Sequence, residues 1–272
     1  MAGGTGRLGS LVVRQLSGRD AAVRVLTRDP ARAKHLEALG IEVAEGDVRR
    51  PETLALAMTD VDVVVSAVQG FAGPGHVSPE SVDRDGNANL VGAARTAGAD
   101  LVMVSIVGAA ADSPMELFRC KHSAEHVLQS SGVPWTIVRA TAFVELWAEL
   151  VGKGIVFGRG DNPINFVSVR DVADLVVDAV VDPTRRGHVT EIGGPEDLTF
   201  NELAAALRDV TGRPTKVRHV PRAMLRVMAP MNRQPRAALV MDTNDMTYQH
   251  TSGRLVGGTK VAEALAAMSA AT

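Results

Sequence analysis

The sequence predicts an α/β fold built around a parallel sheet, and three observations support this prediction. Short apolar runs rich in valine, leucine and isoleucine alternate with amphipathic stretches of helical length. Such alternation requires right-handed crossovers, which place successive strands parallel. The 272 residues are 46% hydrophobic and 22% charged, a balance that allows a large buried core. Aromatic residues make up only 3% of the chain, so we expect that core to be aliphatic.

Five predicted strands divide the first half of the chain. Their approximate bounds are residues 23–27, 41–44, 61–68, 101–105 and 135–138. The run over 61–68 is almost continuously apolar, as expected when helices cover both faces of a sheet. Amphipathic stretches predict the intervening helices at residues 30–39, in a short turn that opens at Pro51, and at residues 79–97 and 114–130.

The pattern changes after about Phe143. Four glycines between residues 152 and 160 mark a turn-rich stretch. The elements expected next are a strand over 164–169, a helix from Asp171 and a helix over 201–211 with Thr199 as its cap. Residues 214–258 look less regular and are richer in Pro, Met and Arg. We therefore expect a core over residues 1–143 and a smaller region over residues 144–272, with some segments returning to the core.

Composition argues against several classes of function. Lys and Arg number 29 against 31 Asp and Glu, and this net charge of −2 gives no reason to expect a nucleic-acid or membrane partner. No run approaches the roughly 20 apolar residues that cross a bilayer, and no secretory signal is visible. The single cysteine, Cys120, argues against disulfides and a structural zinc site. We therefore expect a cytoplasmic protein without metal, nucleic-acid or membrane partners.

Glycines near the start of the chain form the first motif with a chemical role. The segment Gly3-Gly4-Thr5-Gly6-Arg7-Leu8-Gly9 has a spacing that lets the backbone turn tightly and approach a pyrophosphate. Apolar residues at helical spacing follow, so amide groups at that helix N-terminus can hold phosphate. The motif predicts dinucleotide binding in a Rossmann-type, doubly wound sheet. Only Met1 and Ala2 precede it, so its leading strand is either very short or lies upstream, and the sequence leaves both open.

The end of the strand over 23–27 bears on the choice of cofactor. An acidic residue there accepts the ribose hydroxyls of NAD, whereas arginine accommodates the 2′-phosphate of NADP. Here the strand ends in Thr27 and Arg28, and Arg7 lies in the glycine loop. Two guanidinium groups suit one phosphate, which favours NADP(H) over NAD(H). Asp29 follows directly and is the argument for NAD(H).

Further motifs accompany the glycine loop along the chain. They are Leu26-Thr27-Arg28, Glu45-Gly46-Asp47-Val48, Asp85-Gly86-Asn87-Ala88-Asn89-Leu90, Trp135-Thr136-Ile137-Val138-Arg139, Phe166-Val167-Ser168-Val169-Arg170-Asp171-Val172-Ala173 and Gly193-Gly194-Pro195. Together they resemble the atypical short-chain dehydrogenases/reductases, and within them the NmrA-like, NAD(P)-binding branch. The resemblance extends from Gly3 to about Gly212. It implies an NAD(P)-binding Rossmann core over residues 1–143 and a mainly substrate-binding region over residues 144–272.

The resemblance also implies a set of cofactor contacts. The pyrophosphate would lie against Gly3, Thr5, Gly6, Arg7, Leu8 and Gly9, and the 2′-phosphate against Arg28. The adenine would contact Asp47 and Val48, and the ribose side would be lined by Ala67, Val68 and Gln69. All of these positions follow predicted strands, where ligands bind in open parallel sheets.

The catalytic residues of such reductases are only partly present. Carbonyl reduction by hydride transfer needs a proton donor and groups that stabilise the developing alkoxide. Relatives that catalyse it carry serine after the fifth strand and Tyr-x-x-x-Lys on the next helix, and Ser105 and Lys121 match this pattern. The tyrosine position is Leu117, and the single tyrosine is Tyr248. Lys121 is therefore either an anchor for the nicotinamide ribose or itself the acid–base group, and Ser105 also suits an ordinary strand-end role.

Two functions fit these residues. One is an NADPH-dependent reductase of a small apolar carbonyl or quinone, since hydride transfer to a quinone needs no dedicated acid. The alternative is a non-catalytic NADP(H)-binding redox sensor or regulatory protein, for which NmrA-like proteins are the precedent. Epimerase or dehydratase chemistry on nucleotide sugars fits less well because those relatives also use the tyrosine. The substrate and the oligomeric state stay open.

Three histidines are weaker candidates. His122 and His126 lie four residues apart beside Cys120, but the surrounding Lys121 and Glu125 favour a mixed polar helix face over a metal site. His76 lies in a glycine- and proline-rich loop after the strand over 61–68, from which it can reach the predicted site.

Overall fold

A computed structural model describes residues 1–19, 21–71, 77–212 and 217–270, so His76 lies outside the described part. It confirms the predicted α/β fold with a parallel sheet. The chain forms two compact units, of which the first comprises Met1–Arg139 and Ala173–Thr190. The second comprises Ala140–Val172 and Glu191–Thr272.

The first unit contains alternating strands and helices close to the predicted bounds. Its strands are β1 (Arg24–Thr27), β2 (Glu42–Glu45), β3 (Val63–Ser66), β4 (Asp100–Ile106) and β5 (Trp135–Ala140), the last residue of which belongs to the second unit. Its helices are α1 (Arg7–Ser17), α2 (Lys34–Glu37), α3 (Asp85–Ala97) and α4 (Glu116–Gln129). Short helical turns cover Pro30–Ala33, Pro51–Thr53, Leu56–Met58 and Pro79–Arg84.

Two residues take the place of the strand that leads into the glycine loop. Ala2 forms parallel bridges to Leu26 of β1 and Ser66 of β3. Its N–H donates to Val65 O at 2.8 Å, and its carbonyl accepts from Ala67 N at 3.0 Å. The residues before Gly3 therefore lie in a central position of the sheet, between β1 and β3.

Helices cover both faces of this sheet. Val25 and Leu26 are adjacent in β1, so their side chains point to opposite faces. Val25 packs with Val13 and Leu36, whereas Leu26 belongs to a larger cluster that includes fully buried residues of β4, α3, α4 and β5. These are Leu90, Leu101, Met103, Leu128 and Ile137. Each such side chain contributes about 1.5–3 kcal/mol when buried, so the aliphatic core stabilises the carboxyl edge of the strands on both faces.

The second unit combines short strands with five helices. Its strands are β6 (Ala142–Phe143), β7 (Ile155–Phe157), β8 (Ile164–Val167), β10 (Glu196–Leu198), β11 (Arg218–Val220) and β12 (Leu255–Val256). Its helices are α5 (Val144–Gly152), α7 (Phe200–Thr211), α8 (Arg222–Met228), α9 (Arg233–Met241) and α10 (Val261–Ala270). Helix α6 (Val169–Val181) and strand β9 (His188–Gly193) each run from one unit into the other. Strand β8 pairs antiparallel with β10 and parallel with β6, and β11 pairs with β7.

In the second unit the sequence predicts the start of α7 correctly but does not predict α8 and α9. The predicted cap of α7 is confirmed, because Thr199 Oγ1 accepts from Glu202 N at 3.1 Å and the Glu202 carboxylate accepts from Thr199 N at 2.8 Å. The prediction that residues 214–258 are irregular is wrong for much of their length, since β11, α8, α9 and β12 lie there. Helices of 7 and 9 residues are too short for their periodicity to stand out, and α9 contains Pro235 in its first turn.

No helix in the described ranges is long and apolar enough to cross a membrane.

Candidate cofactor site

The glycine loop packs closely against the backbone that follows β3. Gly3 has a φ of +85°, and a Cβ there would lie 2.5 Å from the carbonyl oxygen of Ala67. A Cβ on Gly9 would overlap the carbonyl oxygen of Gly3, and one on Gly4 would lie 2.8 Å from the Val25 side chain. The three glycines are required because helix, loop and sheet meet here with no room for side chains.

Helix α1 presents its N-terminus at the end of this loop. No side chain caps the helix at Gly6, and its first turn contains no acidic residue. The first amide groups of a helix lack intrahelical acceptors and carry partial positive charge, so they attract a phosphate. Arg7, the first residue of α1, is exposed and adds a full positive charge. The loop can therefore hold a pyrophosphate through the free amide groups and the partial positive charge at the N-terminus of α1.

The end of β1 carries the residues that bear on NADP or NAD. Arg28 is exposed. Asp29 directs its side chain to the following turn, where Oδ1 accepts from Ala31 N at 3.0 Å. Its backbone N–H is also bound by Thr27 Oγ1 at 3.2 Å. Asp29 therefore caps a helical turn, whereas Arg28 has no such role within the described part of the chain, and both side chains are exposed.

Asp47 follows β2 and is held by its neighbour Arg49. Both carboxylate oxygens accept from the Arg49 guanidinium, with the shortest contact at 2.6 Å, and Oδ1 also accepts from Arg49 N at 3.0 Å. Burial raises the pKa of Asp47, but the hydrogen bonds and charge of Arg49, with a smaller effect of Arg28, hold it below its usual value. Val48 is buried, and its carbonyl accepts from Asn89 Nδ2 at 2.8 Å. The loop after β2 is thereby fixed from both sides.

A chain of hydrogen bonds supports the loop after β3. Ser66 Oγ donates to Asn87 Oδ1 at 2.6 Å, and Asn87 Nδ2 donates to the carbonyl of Asp83 at 2.7 Å. Asp83 Oδ2 accepts from Gly70 N at 2.8 Å. Ala67, Val68 and Gln69, which the resemblance places beside the ribose, lie within this loop, and Gln69 is exposed.

Lys121 of α4 joins the same network. Its Nζ donates to the carbonyls of Val68 and Val104, both at 3.1 Å, and lies 3.1 Å from Asp83 Oδ1. Asp83 is fully buried, and Lys121 is 6% exposed. The two carbonyls accept hydrogen bonds, whereas Asp83 Oδ1 is close enough for an ion pair without accepting a hydrogen bond from a described residue. Lys121 therefore ties the loop after β3 to the end of β4 and to the turn Pro79–Arg84.

Ser105 directly follows Val104, whose carbonyl accepts a hydrogen bond from Lys121 Nζ. It is 5% exposed, and its hydroxyl has no hydrogen-bond partner among the residues that the structure describes. The position four residues before Lys121 holds Leu117, which is buried together with Phe118. Burying a hydroxyl without a partner costs free energy, so the Ser105 hydroxyl is an unsatisfied group that folding alone does not explain.

Asp83, Asn87 and Arg49 are residues that the sequence analysis missed as parts of the site. Asp83 lies 38 positions before Lys121, so no local spacing indicates their pairing. Asn87 belongs to a motif that carried the family resemblance without a role. Their positions become visible only when β3, α3 and α4 are packed together.

Other candidates lie elsewhere or form no cluster. His122 is half-buried and His126 exposed, and no group of metal-ligating side chains occurs within the described part of the chain. Burial raises the pKa of the Cys120 thiol to about 11, which keeps it protonated and unreactive at neutral pH. Tyr248 belongs to the second unit, where its ring packs on Gly193 and its hydroxyl is buried.

Comparisons with known proteins place this geometry in a family. Residues 3–183 match a family described as NAD(P)H-binding. The NAD(P)H azoreductase of Xenophilus azovorans is 34% identical over 220 residues, which cover 79% of this chain and 74% of that protein. The chain therefore belongs to the NAD(P)H-binding family, and the expected relation to NmrA-like, atypical short-chain dehydrogenases/reductases is confirmed.

Two further similar proteins differ in their described functions. The photosystem II assembly factor Ycf39 of Synechocystis is 28% identical over 238 residues, covering 85% of this chain and 73% of the factor. The NADPH-dependent quinone oxidoreductase of Escherichia coli, solved with NADPH, is similar in fold, with a TM-score of 0.76. It is 21% identical, and the match covers 98% of each chain.

Proposed function

We propose that this protein is an NADPH-dependent reductase of a small apolar carbonyl or quinone. The observation that carries the proposal is the unpartnered, buried hydroxyl of Ser105 beside the Lys121–Asp83 pair. Ser105 lies near the end of β4, Asp83 lies in the turn that precedes α3, and the glycine loop follows Ala2, which bridges β1 and β3. Azoreductase and quinone oxidoreductase activity in relatives supports the reductase class.

The preference for NADP(H) rests on the two residues after β1. In an NAD site an acidic side chain here accepts from the ribose. Asp29 and Arg28 are both exposed, but the Asp29 carboxylate already accepts from Ala31 N. Arginine binds phosphate through paired, charge-assisted hydrogen bonds. We therefore assign the 2′-phosphate to Arg28, with Arg7 near the pyrophosphate.

The residues of the first unit have distinct roles in the proposed reaction. When bound, the nicotinamide supplies a hydride to the substrate. Ser105 donates a hydrogen bond to the substrate oxygen as negative charge develops there. Lys121 acts as a positioning residue, because it is buried, donates to the carbonyls of Val68 and Val104, and forms an ion pair with Asp83. It fixes the loop that lines the ribose side.

The missing tyrosine restricts the substrate class. Leu117 cannot donate a proton, so a simple ketone would leave an alkoxide without the tyrosine acid that related reductases use. A quinone that accepts a hydride becomes a stabilised hydroquinone anion, which water can protonate. We therefore place quinones ahead of ketones among the candidate substrates.

A non-catalytic redox sensor is the second candidate. Leu117 in place of the acid and the burial of Lys121 among two backbone carbonyls and Asp83 favour it. The similarity to an assembly factor is a further reason to test it. In that case the site would bind NADP(H) without consuming it.

One experiment separates the two candidates. Thermal unfolding is measured with NADPH, with NADH and with neither, and NADPH oxidation is then followed at its absorbance band with quinones and ketones. A ligand at 100 times its Kd stabilises the folded state by about 2.7 kcal/mol. A large shift with NADPH and turnover with quinones that falls in Ser105→Ala supports the reductase.

The remaining outcomes are equally decisive. A shift with NADPH but no oxidation with any acceptor supports the sensor. The absence of any shift would exclude both. Ser123→Ala is the matched control, because that serine lies on α4 and is half-buried without a place in the site.

A further inference from the structure

The second unit exposes an apolar surface on α8. Met224, Val227, Met228 and Met231 have exposed fractions of 55%, 72%, 39% and 81%. Their spacing places them on one side of a helix, and the turn after α8 continues it, since Met231 N and Asn232 N both donate to Met228 O. We call these four residues the α8 face. Leu225 points the other way and is buried, so it anchors the helix to the unit.

The segment around the α8 face is strongly basic. Residues 210–241 contain seven Lys and Arg and no Asp or Glu, whereas the other 240 residues contain 22 Lys and Arg against 31 Asp and Glu. Arg218, Arg226 and Arg236 are exposed. Arg222 is held by Asp242, so it contributes to packing more than to the surface. The net charge of −2 for the whole chain does not reveal this local excess of positive charge.

We propose that the α8 face docks onto an anionic phospholipid surface. A basic, amphipathic helix with large apolar side chains suits the boundary between headgroups and acyl chains. The Met and Val side chains would enter the acyl region, and the positive charge of residues 210–241 would attract the anionic headgroups. Arginine pairs well with phosphate, and flexible methionine adapts to an irregular apolar surface.

Other occupants fit the α8 face less well. A second copy of the chain would bring one basic segment against another, and like charges repel. Nucleic acid would match the charge but not the apolar centre of the face. An acidic protein with an apolar groove would match both, and the experiment below distinguishes it. The proposal is independent of the proposed function, although a bilayer is also where apolar quinones dissolve.

Vesicle sedimentation with the full chain tests the proposal. Sucrose-loaded vesicles of phosphatidylcholine alone are compared with vesicles that also contain phosphatidylglycerol. We expect binding only to the anionic vesicles, with a strong reduction between about 0.1 M and 1 M salt, where screening shortens to about 3 Å. The double variant Val227→Glu, Met231→Glu should bind at least about tenfold more weakly, because it places two acids on the α8 face.

Leu56→Glu is the matched control. Leu56 is 89% exposed in the first unit, so the same change occurs away from the α8 face and should leave binding unchanged. All variants are checked for an unaltered unfolding midpoint. Equal binding to both vesicle types, no binding to either, or full binding by the double variant would each overturn the proposal. Failure to bind any vesicle would leave an acidic protein as the better occupant.

Discussion

Both units bury charged and polar side chains, but the two sets have different surroundings. In the second unit, Glu145 accepts from Ser168 Oγ and Val169 N, and so fixes the start of α6. Asn165 similarly bonds Gly194 through both its amide oxygen and its nitrogen. In the first unit the buried pair Lys121–Asp83 lies at the carboxyl ends of strands, beside a serine hydroxyl without a partner.

The difference lies in the charged pair, since the second unit also buries a hydroxyl without a partner among the described residues, that of Tyr248. The burial of a fully hydrogen-bonded group such as Asn165 is explained by the backbone segments that it links. An unpartnered group beside a charged pair is not explained by folding alone, because burial without a hydrogen bond costs free energy. The comparison predicts that substitutions in the first network change cofactor binding as well as stability, whereas those in the second change stability alone.

The largest expected effect is in the Lys121–Asp83 pair. Lys121→Met leaves a buried carboxylate without its cation, which should lower the free energy of unfolding by about 3–5 kcal/mol. Urea unfolding measures the loss. The double variant Lys121→Met, Asp83→Asn removes both charges and should recover most of that stability without restoring the NADPH-induced shift. Recovery of the shift as well would show that the pair is purely structural.

Glu145 provides the corresponding test in the second unit. Glu145→Leu removes the acceptor of Ser168 Oγ and Val169 N, and the loss of two hydrogen bonds should cost about 1–3 kcal/mol. The additional stabilisation by NADPH should equal that of the unchanged protein. A reduced NADPH shift in this variant would break the proposed distinction between the two networks.

Gly9→Ala should separate binding from folding in the glycine loop. The added Cβ overlaps the Gly3 carbonyl, so we expect about 1–3 kcal/mol of destabilisation and no stabilisation by NADPH. Gly92→Ala is the control, because no atom lies within 4 Å of its added Cβ. In the middle of α3 it should stabilise the protein by about 0.5–1 kcal/mol and keep the NADPH shift.

Arg28→Ala should affect one cofactor and not the other. Loss of a charge-assisted contact to the 2′-phosphate is worth about 1.5–3 kcal/mol, so NADPH should bind about 10–100-fold more weakly while NADH is unchanged. Titration calorimetry measures both. Arg95→Ala is the control, since this exposed arginine lies at the opposite end of α3 from the strand carboxyl ends. Equal weakening of both cofactors would refute the assignment.

The smallest expected effect is in the second unit. Burial raises the pKa of Tyr248 to about 12, above its ordinary value of 10. The folded state then holds this proton more tightly, so the associated stability is complete below about pH 10 and falls as the pH rises towards 12. Tyr248→Phe should change the stability at neutral pH by less than about 1 kcal/mol and reduce that alkaline loss. Tyrosinate absorbance reports Tyr248 alone, because the chain has one tyrosine.

The sequence predicts what local patterns encode. Strand β1 and the Thr199 cap depend on residues within a few positions, and both are predicted correctly. Asp83 and Lys121 meet through the packing of three elements, and the sheet position of Ala2 depends on strands that lie far along the chain. Neither has a local signal. Helices α8 and α9 escape prediction because each has fewer than three full turns.

Because Gly70 N donates to the Asp83 carboxylate, the exchange of the Gly70 amide proton reports on the state of this site. Its acceptor is fully buried and also faces Lys121, so hydrogen exchange at Gly70 requires the carboxylate to part from its donors. The exchange rate of this single proton therefore measures how often the loop after β3 opens. A dinucleotide bound against that loop should slow the exchange of this amide proton. NMR would therefore detect cofactor binding in solution without any turnover.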